Sequence, residues 1–229
     1  MKRCFLIVIL ALQLGALSAF ANEHIVVSGG PALFYFEKHK AKPHDKYWGN
    51  FIDAAAAKIR SIKPSVPSGD TITWMVYRTG YEKRGKEQGD DLLATIAERA
   101  KILGANLVYF NDRKEFLNYL NDRPDNNLIA RLEYFGHSNK RNWMFDYSNR
   151  LDGSSIEPAM LHIWNLKNID SGIFASDAVC QSWGCHSGEE YSAAWFKRTG
   201  RRMTGAIGKT DYSQGGLPFL STEGGKWVQ

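Results

Sequence analysis

The chain has 229 residues, enough for one full domain and short for two, and its 44% hydrophobic and 23% charged residues exclude a disordered or fibrous protein. Its 29 Lys and Arg stand against 24 Asp and Glu, which gives a formal charge of +5. Because this weak charge is spread along the chain without a basic run, we expect no nucleic-acid partner.

The first 21 residues have the three parts of a secretory signal peptide. Lys2 and Arg3 precede an apolar run over residues 5–17, and Ala19-Phe20-Ala21 forms a small-x-small cleavage pattern. The run is short for a membrane span, so a cleaved leader is favoured over an anchor. We therefore expect an exported protein, periplasmic or secreted, that is cleaved after Ala21 and has no membrane partner. Its charge would then be +3, because the leader carries two basic residues and no acidic one.

Residues 22–68 are predicted to form an N-terminal extension with one amphipathic helix. The extension begins with a short extended piece over residues 25–31 that is closed by a turn. Over 44–62, apolar side chains recur at spacings of three and four, which is typical of a helix packed on a core. Pro64 and Pro67 then end the helix.

From residue 69 to residue 229 the predicted strands and helices alternate. Strands are predicted over 72–77, 107–110, 128–135, 173–183 and 203–207, and helices over 91–103, 114–120 and 189–198. The aperiodic stretch 140–158 is predicted to be a long loop whose aromatic side chains either wall a cleft or pack on the edge of the sheet. The alternation predicts an α/β fold, a three-layer α/β/α sandwich with a mostly parallel central sheet. Ligands of such sheets bind at the carboxyl ends of the strands.

A histidine and a cysteine follow directly on two of these predicted strands. His137 comes after the strand 128–135 and Cys185 after the strand 173–183, with no full strand between them, so we expect their side chains to meet at one edge of the sheet. A cysteine nucleophile needs a base or cationic partner and gains from a helix N-terminus, which a capping box over residues 187–190 would supply. The pattern therefore predicts a His/Cys dyad.

Cys180, the second cysteine of the region, could be a buried core residue, a disulfide partner of Cys185 or a zinc ligand. Cys180 lies in the middle of the predicted strand, where a small buried side chain is expected. A disulfide with Cys185 is awkward, because the spacing of five residues joins a strand to the turn after it. A zinc site drawn from Cys180, Cys185, His186 and His137 has a C-x4-C spacing, which is not one of the tight structural-zinc spacings, so the dyad is favoured over it. We therefore expect neither a metal nor a cofactor.

A serine nucleophile is the enzymatic alternative. Gly136-His137-Ser138-Asn139-Lys140 begins like the G-x-S-x-G elbow of the α/β-hydrolases, with Lys140 in place of the last glycine. Asp177 followed by His186 would then supply the acid and the base in the order of that fold, although Asp177 falls inside a predicted strand. A serine hydrolase built on Ser138 thus remains open at this point.

The layout resembles the caspase–gingipain superfamily of cysteine peptidases, in which one strand delivers a Gly-His pair and the next delivers a cysteine before a helix. The matching segments are Tyr134-Phe135-Gly136-His137 and Ser182-Trp183-Gly184-Cys185-His186-Ser187-Gly188, and the resemblance spans about residues 70–212. It implies a caspase-like domain over 69–229, with Cys185 as nucleophile and His137 as acid/base. The backbone N–H groups of Gly136, Ser138 and Cys185 would hold the oxyanion. The superfamily commonly has glycine where this chain has Ser138.

The same resemblance identifies candidates for the substrate pocket. In the superfamily, residues beyond the strand that follows the nucleophile's helix line the pocket for the residue before the cut. Lys209 would favour an acidic residue there and Asp211 a basic one, and His186 is a third candidate beside the nucleophile. The expected function is an exported cysteine hydrolase, a peptidase acting on a peptide or protein. The alternative from another class is a non-catalytic binding module on the same α/β scaffold.

Overall fold

The computed structural model describes residues 21–31, 42–124, 127–147 and 159–229, so nearly all of the predicted leader lies outside the described residues. The helices of the described ranges are α1 (Asn50–Ile62), α2 (Arg78–Gln88), α3 (Leu92–Leu103), α4 (Arg113–Asn121) and α5 (Tyr191–Thr199). The main sheet contains β1 (Glu23–Ser28), β2 (Thr71–Tyr77), β3 (Asn106–Phe110), β4 (Ile129–Phe135), β8 (Phe174–Ser182), β9 (Met203–Ile207) and β12 (Lys226–Val228). A small sheet consists of β5 (His137–Asn139), β6 (Asn142–Met144) and β7 (Met160–His162), and a ribbon pairs β10 (Thr210–Asp211) with β11 (Phe219–Leu220).

The main sheet has seven strands in the order β12-β9-β8-β4-β1-β2-β3. Neighbouring strands run parallel, except that β12 runs antiparallel to β9 at one edge. The chain proceeds from β1 outward to β2 and β3 on one side, and then from β4 outward to β8 and β9 on the other. The strand order therefore reverses between β1 and β4, and a crevice at the carboxyl ends of the strands is expected at such a point.

Helices cover both faces of the sheet, which confirms the predicted α/β fold with a mostly parallel central sheet. One core cluster joins side chains of the sheet to α1, α2 and α3. The other joins the opposite face to α4, α5 and the small sheet. In β1, Ile25 and Val27 belong to one cluster and Val26 to the other, and all three are fully buried. A strand that is covered on both faces needs such a continuous apolar run.

The prediction of a separate N-terminal extension over residues 22–68 is wrong. β1 pairs with β2 on one side and with β4 on the other, so this segment supplies an interior strand of the sheet. The helix predicted within the segment is confirmed as α1. A short apolar run has the same appearance in a central strand as in a peripheral one, because the partners that distinguish the two lie far away in sequence.

Several further elements were missing from the predicted pattern, among them α2, β12 and β6. α2 carries no apolar stripe, because its sequence RTGYEKRGKEQ is mostly polar. β12 lies in the Gly-rich tail and is only three residues long. β6 lies in the predicted loop 140–158, of which residues 148–158 are outside the described part. Its Trp143 stacks on Tyr134 in the core, at 4.4 Å between ring centroids.

The first residue after the predicted cleavage point is held by a buried carboxylate. The backbone N–H of Asn22 donates to Asp70 Oδ1 at 2.9 Å, and Asp70 Oδ2 lies 3.2 Å from Nε2 of His24. The side chain of Asp70 is only 7% exposed. In a chain that begins at Asn22, this N–H becomes an ammonium group, and its hydrogen bond to Asp70 is then assisted by charge.

We expect a chain that begins at Asn22 to unfold with a free energy about 1 kcal/mol higher than a chain with three alanines before Asn22, because charged hydrogen bonds are stronger than neutral ones. Replacing Asp70 by Asn should remove this difference. Urea denaturation of the four proteins at pH 6.5 measures the coupling between the two changes. A difference that persists in Asp70→Asn would show that the ammonium is stabilised elsewhere.

Candidate active site

His137 and Cys185 lie at the carboxyl ends of neighbouring strands. β4 and β8 pair in parallel, with Tyr134 opposite Ser182 near their ends. His137 is the second residue after β4, and Cys185 is the third residue after β8. The prediction that both residues lie at one edge of the sheet, on adjacent parallel strands, is confirmed. Both line one pocket of about 160 Å³.

The pocket lies across the point where the strand order reverses. Pro31 lies beyond the end of β1, Gly136 and His137 follow β4, and Cys185 follows β8. The remaining walls come from α1 with the residues before it and from the segment beyond β9: His44, Asp45, Tyr47, Trp48, Asn50, Phe51, Thr210, Asp211 and Tyr212. Open parallel sheets bind their ligands in this position, so the pocket is the candidate functional site.

Thr210 contacts the sulfur of Cys185 through three of its polar groups. Its backbone N–H donates to Sγ at 3.4 Å, and its Oγ1 lies 3.6 Å from Sγ. Its carbonyl oxygen, at 3.7 Å, accepts from the protonated thiol. Thr210 was not a candidate in the sequence, because the role of a backbone group leaves no signal in residue type.

The helix N-terminus that was expected beside Cys185 is not there. Residues 185–190 form turns, and α5 begins only at Tyr191, without a side-chain cap. The hydroxyl of Ser187 donates to the carbonyl of Gly184 at 3.0 Å instead. The predicted capping box over 187–190 is therefore wrong. Short polar side chains bond to the backbone of turns as readily as to that of helices, so the motif does not distinguish the two.

The imidazole of His137 is held between two aromatic rings. Phe51 of α1 meets it edge-on at 4.9 Å, and Tyr147 stacks on it at 4.6 Å between ring centroids. The backbone carbonyl oxygen of His137 accepts a hydrogen bond from the hydroxyl of Tyr134 at 2.8 Å. The aromatic side chains of the predicted loop were expected to wall a cleft or to pack on the edge of the sheet, and the described ones are not among the residues that line the pocket. Trp143 packs in the core, whereas Tyr147 lies against the site.

The turns that carry His137 and Cys185 touch each other. The hydroxyl of Ser138 donates to the carbonyl oxygen of Cys185 at 2.5 Å. A Cβ on Gly184 would lie 2.8 Å from the carbonyl oxygen of Gly136 and closer still to the side chain of Ser138, so only glycine allows this approach. The backbone segments that carry the thiol and the imidazole are therefore held against each other by direct packing.

The environment of Ser138 differs from that of a nucleophile. Its side chain is buried, and its hydroxyl proton is used in the bond to Cys185. Asp177, the acid considered for a serine triad, is exposed within β8, five residues before the end of that strand. Ser138 thus positions the cysteine turn.

His186 does not face the pocket. Its Nδ1 lies 2.6 Å from Oε1 of Glu189, and His186 is not among the described residues that line the pocket. The hydrogen bond from His186 lowers the pKa of Glu189 below its usual value. The backbone of His186 has φ of +59°, in the left-handed region that few residues other than glycine adopt.

The two charged candidates for the substrate pocket are separated by the structure. Asp211 lines the pocket, whereas Lys209 is exposed and is not among the described lining residues. Burial raises the pKa of Asp211, but hydrogen bonds from Ser213 and the nearby charges of His44 and Lys42 outweigh it, so the pKa is lowered overall. Nε2 of His44 lies 2.8 Å from Oδ1 of Asp45 and 3.6 Å from Oδ1 of Asp211. The pocket therefore carries two carboxylates with one histidine between them.

Cys180 has the properties of a core residue. It is 2% exposed, and burial raises the pKa of its thiol to about 12. Both Cys180 and Cys185 are free, so the two do not form a disulfide.

No cluster of three or more metal-ligating side chains occurs within the described ranges. In the same ranges, no helix is long and apolar enough to cross a membrane.

Comparison of the chain with protein-family models, with curated proteins and with solved structures gave no match. The function must therefore be inferred from the site itself.

The carboxylate of Glu133 is fully buried near the end of β4, close to the residues that carry the site. Glu133 of β4 accepts a hydrogen bond from Nε1 of Trp183 at 2.8 Å and contacts Nζ of Lys58 at 3.0 Å and Nη1 of Arg131 at 2.6 Å. Trp183, which leads into the cysteine turn, also stacks on Phe135, with the ring centroids 5.6 Å apart. Glu133 therefore ties α1 to the strand ends that carry the site.

We expect Glu133→Ala to lower the free energy of unfolding by about 3–5 kcal/mol, because two partly buried cations and a buried indole N–H would lose their partner. Glu133→Gln keeps an acceptor for Trp183 and should cost clearly less. Urea denaturation followed by tryptophan fluorescence measures both. Equal losses in the two variants would mean that the charge of Glu133 accounts for the whole effect and that the acceptor kept for Trp183 contributes nothing.

Proposed function

We propose that the protein is an exported cysteine hydrolase, a peptidase in which Cys185 is the nucleophile and His137 the acid/base. The observation that carries this proposal is the presence of a thiol and an imidazole on the walls of one pocket, at the carboxyl ends of adjacent parallel strands. The resemblance to the caspase–gingipain superfamily supports the same assignment. Export is proposed from the composition of the first 21 residues.

The proposed reaction has two halves. The thiolate of Cys185 attacks the acyl carbon of a peptide bond, the carbon–nitrogen bond breaks, and the imidazolium of His137 gives its proton to the leaving amine. The neutral imidazole then takes a proton from water as that water attacks the thioester. Breakage of the carbon–sulfur bond releases the acid and restores the thiolate and the imidazolium.

Backbone N–H groups of the two turns would stabilise the oxyanion in both halves. Gly136, Ser138 and Cys185 are the candidates. The backbone of Gly136 already hydrogen-bonds the hydroxyl of Tyr212, so the N–H groups of Ser138 and Cys185 are the better donors.

Two observations favour cysteine over serine as the nucleophile. Sγ of Cys185 lies on the pocket wall with a backbone N–H aimed at it, whereas the hydroxyl of Ser138 is buried and bonded to a carbonyl. A serine nucleophile also needs a base within hydrogen-bond reach, and the proposed downstream base His186 is bonded to Glu189. We therefore retain the cysteine hydrolase.

The pocket favours a substrate with a basic side chain. Asp45 and Asp211 supply carboxylates, and the rings of Tyr47, Trp48 and Tyr212 supply apolar walls. A lysine or arginine side chain has an apolar stem and a cationic head, which suits aromatic faces and carboxylates together. A volume of about 160 Å³ suits one such side chain. We propose that it belongs to the residue before the cut.

The dyad is tested by alkylation of Cys185 at neutral pH. A thiolate paired with His137 reacts faster than a free thiol, so iodoacetamide should label Cys185 and leave Cys180 unlabelled in the folded protein. We expect His137→Ala to slow the labelling at least about tenfold, and His186→Ala, the matched control, to leave it unchanged. Mass spectrometry of the digested protein measures both rates. A rate equal to that of a free thiol would favour the non-catalytic binding module.

The control for the choice of nucleophile replaces each of the two cysteines by alanine in turn. Cys185→Ala should abolish hydrolysis of peptides with little change in the melting temperature. Cys180→Ala should lower the free energy of unfolding by about 1 kcal/mol and leave hydrolysis intact, because it removes a small buried side chain. Loss of activity in a folded Cys180→Ala protein would overturn the choice of nucleophile.

The substrate class is tested at Asp211. We expect Asp211→Ala to lower kcat/KM for peptides with lysine or arginine before the cut by about 10- to 100-fold, the worth of a hydrogen bond to a charged group. Lys209→Ala changes a charge two residues away and should alter kcat/KM by less than about twofold. A panel of fluorogenic peptides with different residues at that position measures both. An unchanged preference in Asp211→Ala would refute the role of this carboxylate.

A further inference from the structure

We propose that the active-site pocket continues into a groove between α1 and α3, and that this groove binds the substrate polypeptide in extended form with an acidic residue at its far end. The inference rests on the proposed function and extends it, because it defines a second position in the substrate. The acidic residue would lie four or five positions from the basic residue held near Asp211.

Three depressions in the surface adjoin one another and share lining residues. The active-site pocket shares His44, Tyr47, Asn50 and Tyr212 with a second depression of about 410 Å³. The second shares Asp53 and Gly215 with a third, of about 320 Å³. Cys185 lines only the first of them, so the groove leads away from the thiol.

One stripe of α1 forms the wall along the whole groove. Asn50, Asp53, Ala56 and Arg60 line successive parts of it, at spacings of three and four residues, which places them on one side of the helix. Arg99 of α3 lines the far part together with Ile102 and Leu103, which follow it by three and four residues and so lie on the same side of that helix. Two neighbouring helices thus form the two sides of the far half of the groove.

The length of the groove suits a short extended peptide. Ten residues of α1 separate Asn50 from Arg60, and a rise of 1.5 Å per residue gives about 15 Å. An extended chain advances about 3.3 Å per residue, so about four or five residues span this distance. A polypeptide with its basic side chain beside Asp211 would reach Arg60 with the fourth or fifth residue.

The charges at the two ends of the groove are opposite. Asp45 and Asp211 lie at the end near Cys185. At the far end, Arg99 is paired with Asp53 and lies over the ring of Trp48, whereas Arg60 is exposed to solvent. Arg60 is therefore the cation that an acidic substrate residue would meet. Ile102, 73% exposed beside it, offers apolar surface to a neighbouring side chain.

The test measures how tightly peptides bind when the charge of the peptide and the charge at position 60 of the protein are reversed in turn. Every protein carries Cys185→Ala, so that no peptide is cut. Fluorescent peptides carry one lysine and, four or five positions before or after it, either Asp or Lys. We expect the Asp peptide of one of these arrangements to bind about fivefold tighter than its Lys counterpart. This is the largest gain in affinity that an exposed ion pair usually gives. Arg60→Glu should reverse the preference. Fluorescence anisotropy gives the dissociation constants.

A matched control separates the groove from net charge. Lys101 is exposed on α3 and is not among the lining residues, so Lys101→Glu makes the same change of charge outside the groove. It should leave the preference for Asp unchanged. The proposal is overturned if Lys101→Glu shifts the preference as much as Arg60→Glu does, if neither does, or if no peptide of the panel binds at millimolar concentration.

Cleavage of the same peptides by the protein with Cys185 intact distinguishes the groove from the proposed function. Peptides that bind with the expected charge exchange but are never cut would support the groove and refute the hydrolase. Peptides that are cut equally well with Asp or Lys at the distant position would support the hydrolase and overturn the groove.

Discussion

The contact between the turn after β4 and the turn after β8 is the constraint on which the site depends. Parallel pairing alone brings two strand ends to about 4.8 Å, but it leaves the side chains beyond those ends free to diverge. Here the absence of a side chain at Gly184 lets the Cys185 turn lie on Gly136 and Ser138, and the hydroxyl of Ser138 closes the contact. A thiol and an imidazole attached to such a pair of turns cannot move apart independently.

The same strand ends are tied to the helix that forms the outer wall. Glu133 contacts Lys58 of α1, and Lys58 also lies over the ring of Trp183, 5.4 Å from its centroid. Phe51 of the same helix packs on His137 and on Tyr212. A displacement of α1 would therefore change the pocket, the groove and the surroundings of the imidazole together.

Much of the fold was predictable from the sequence, because β2, β3, β4, β8, α1 and α3 each carry a strong local pattern. β1 was recognised as extended but not as central, since its position depends on partners more than forty residues away. The site was predictable as far as His137 and Cys185, which follow their strands directly. The supporting contacts were not, because Thr210 acts through its backbone and Glu133 acts through cations that only the fold brings to it.

The burial of Cys180 has a consequence for the oxidation chemistry of the site. A cysteine on the wall of a pocket can be oxidised to the sulfenic acid, and a second accessible thiol normally resolves that species as a disulfide. The thiol of Cys180 is enclosed in the sheet, and its pKa of about 12 keeps it protonated, so it is not such a resolving group. Recovery of an oxidised Cys185 would therefore depend on reductants supplied by the surroundings rather than on the protein itself.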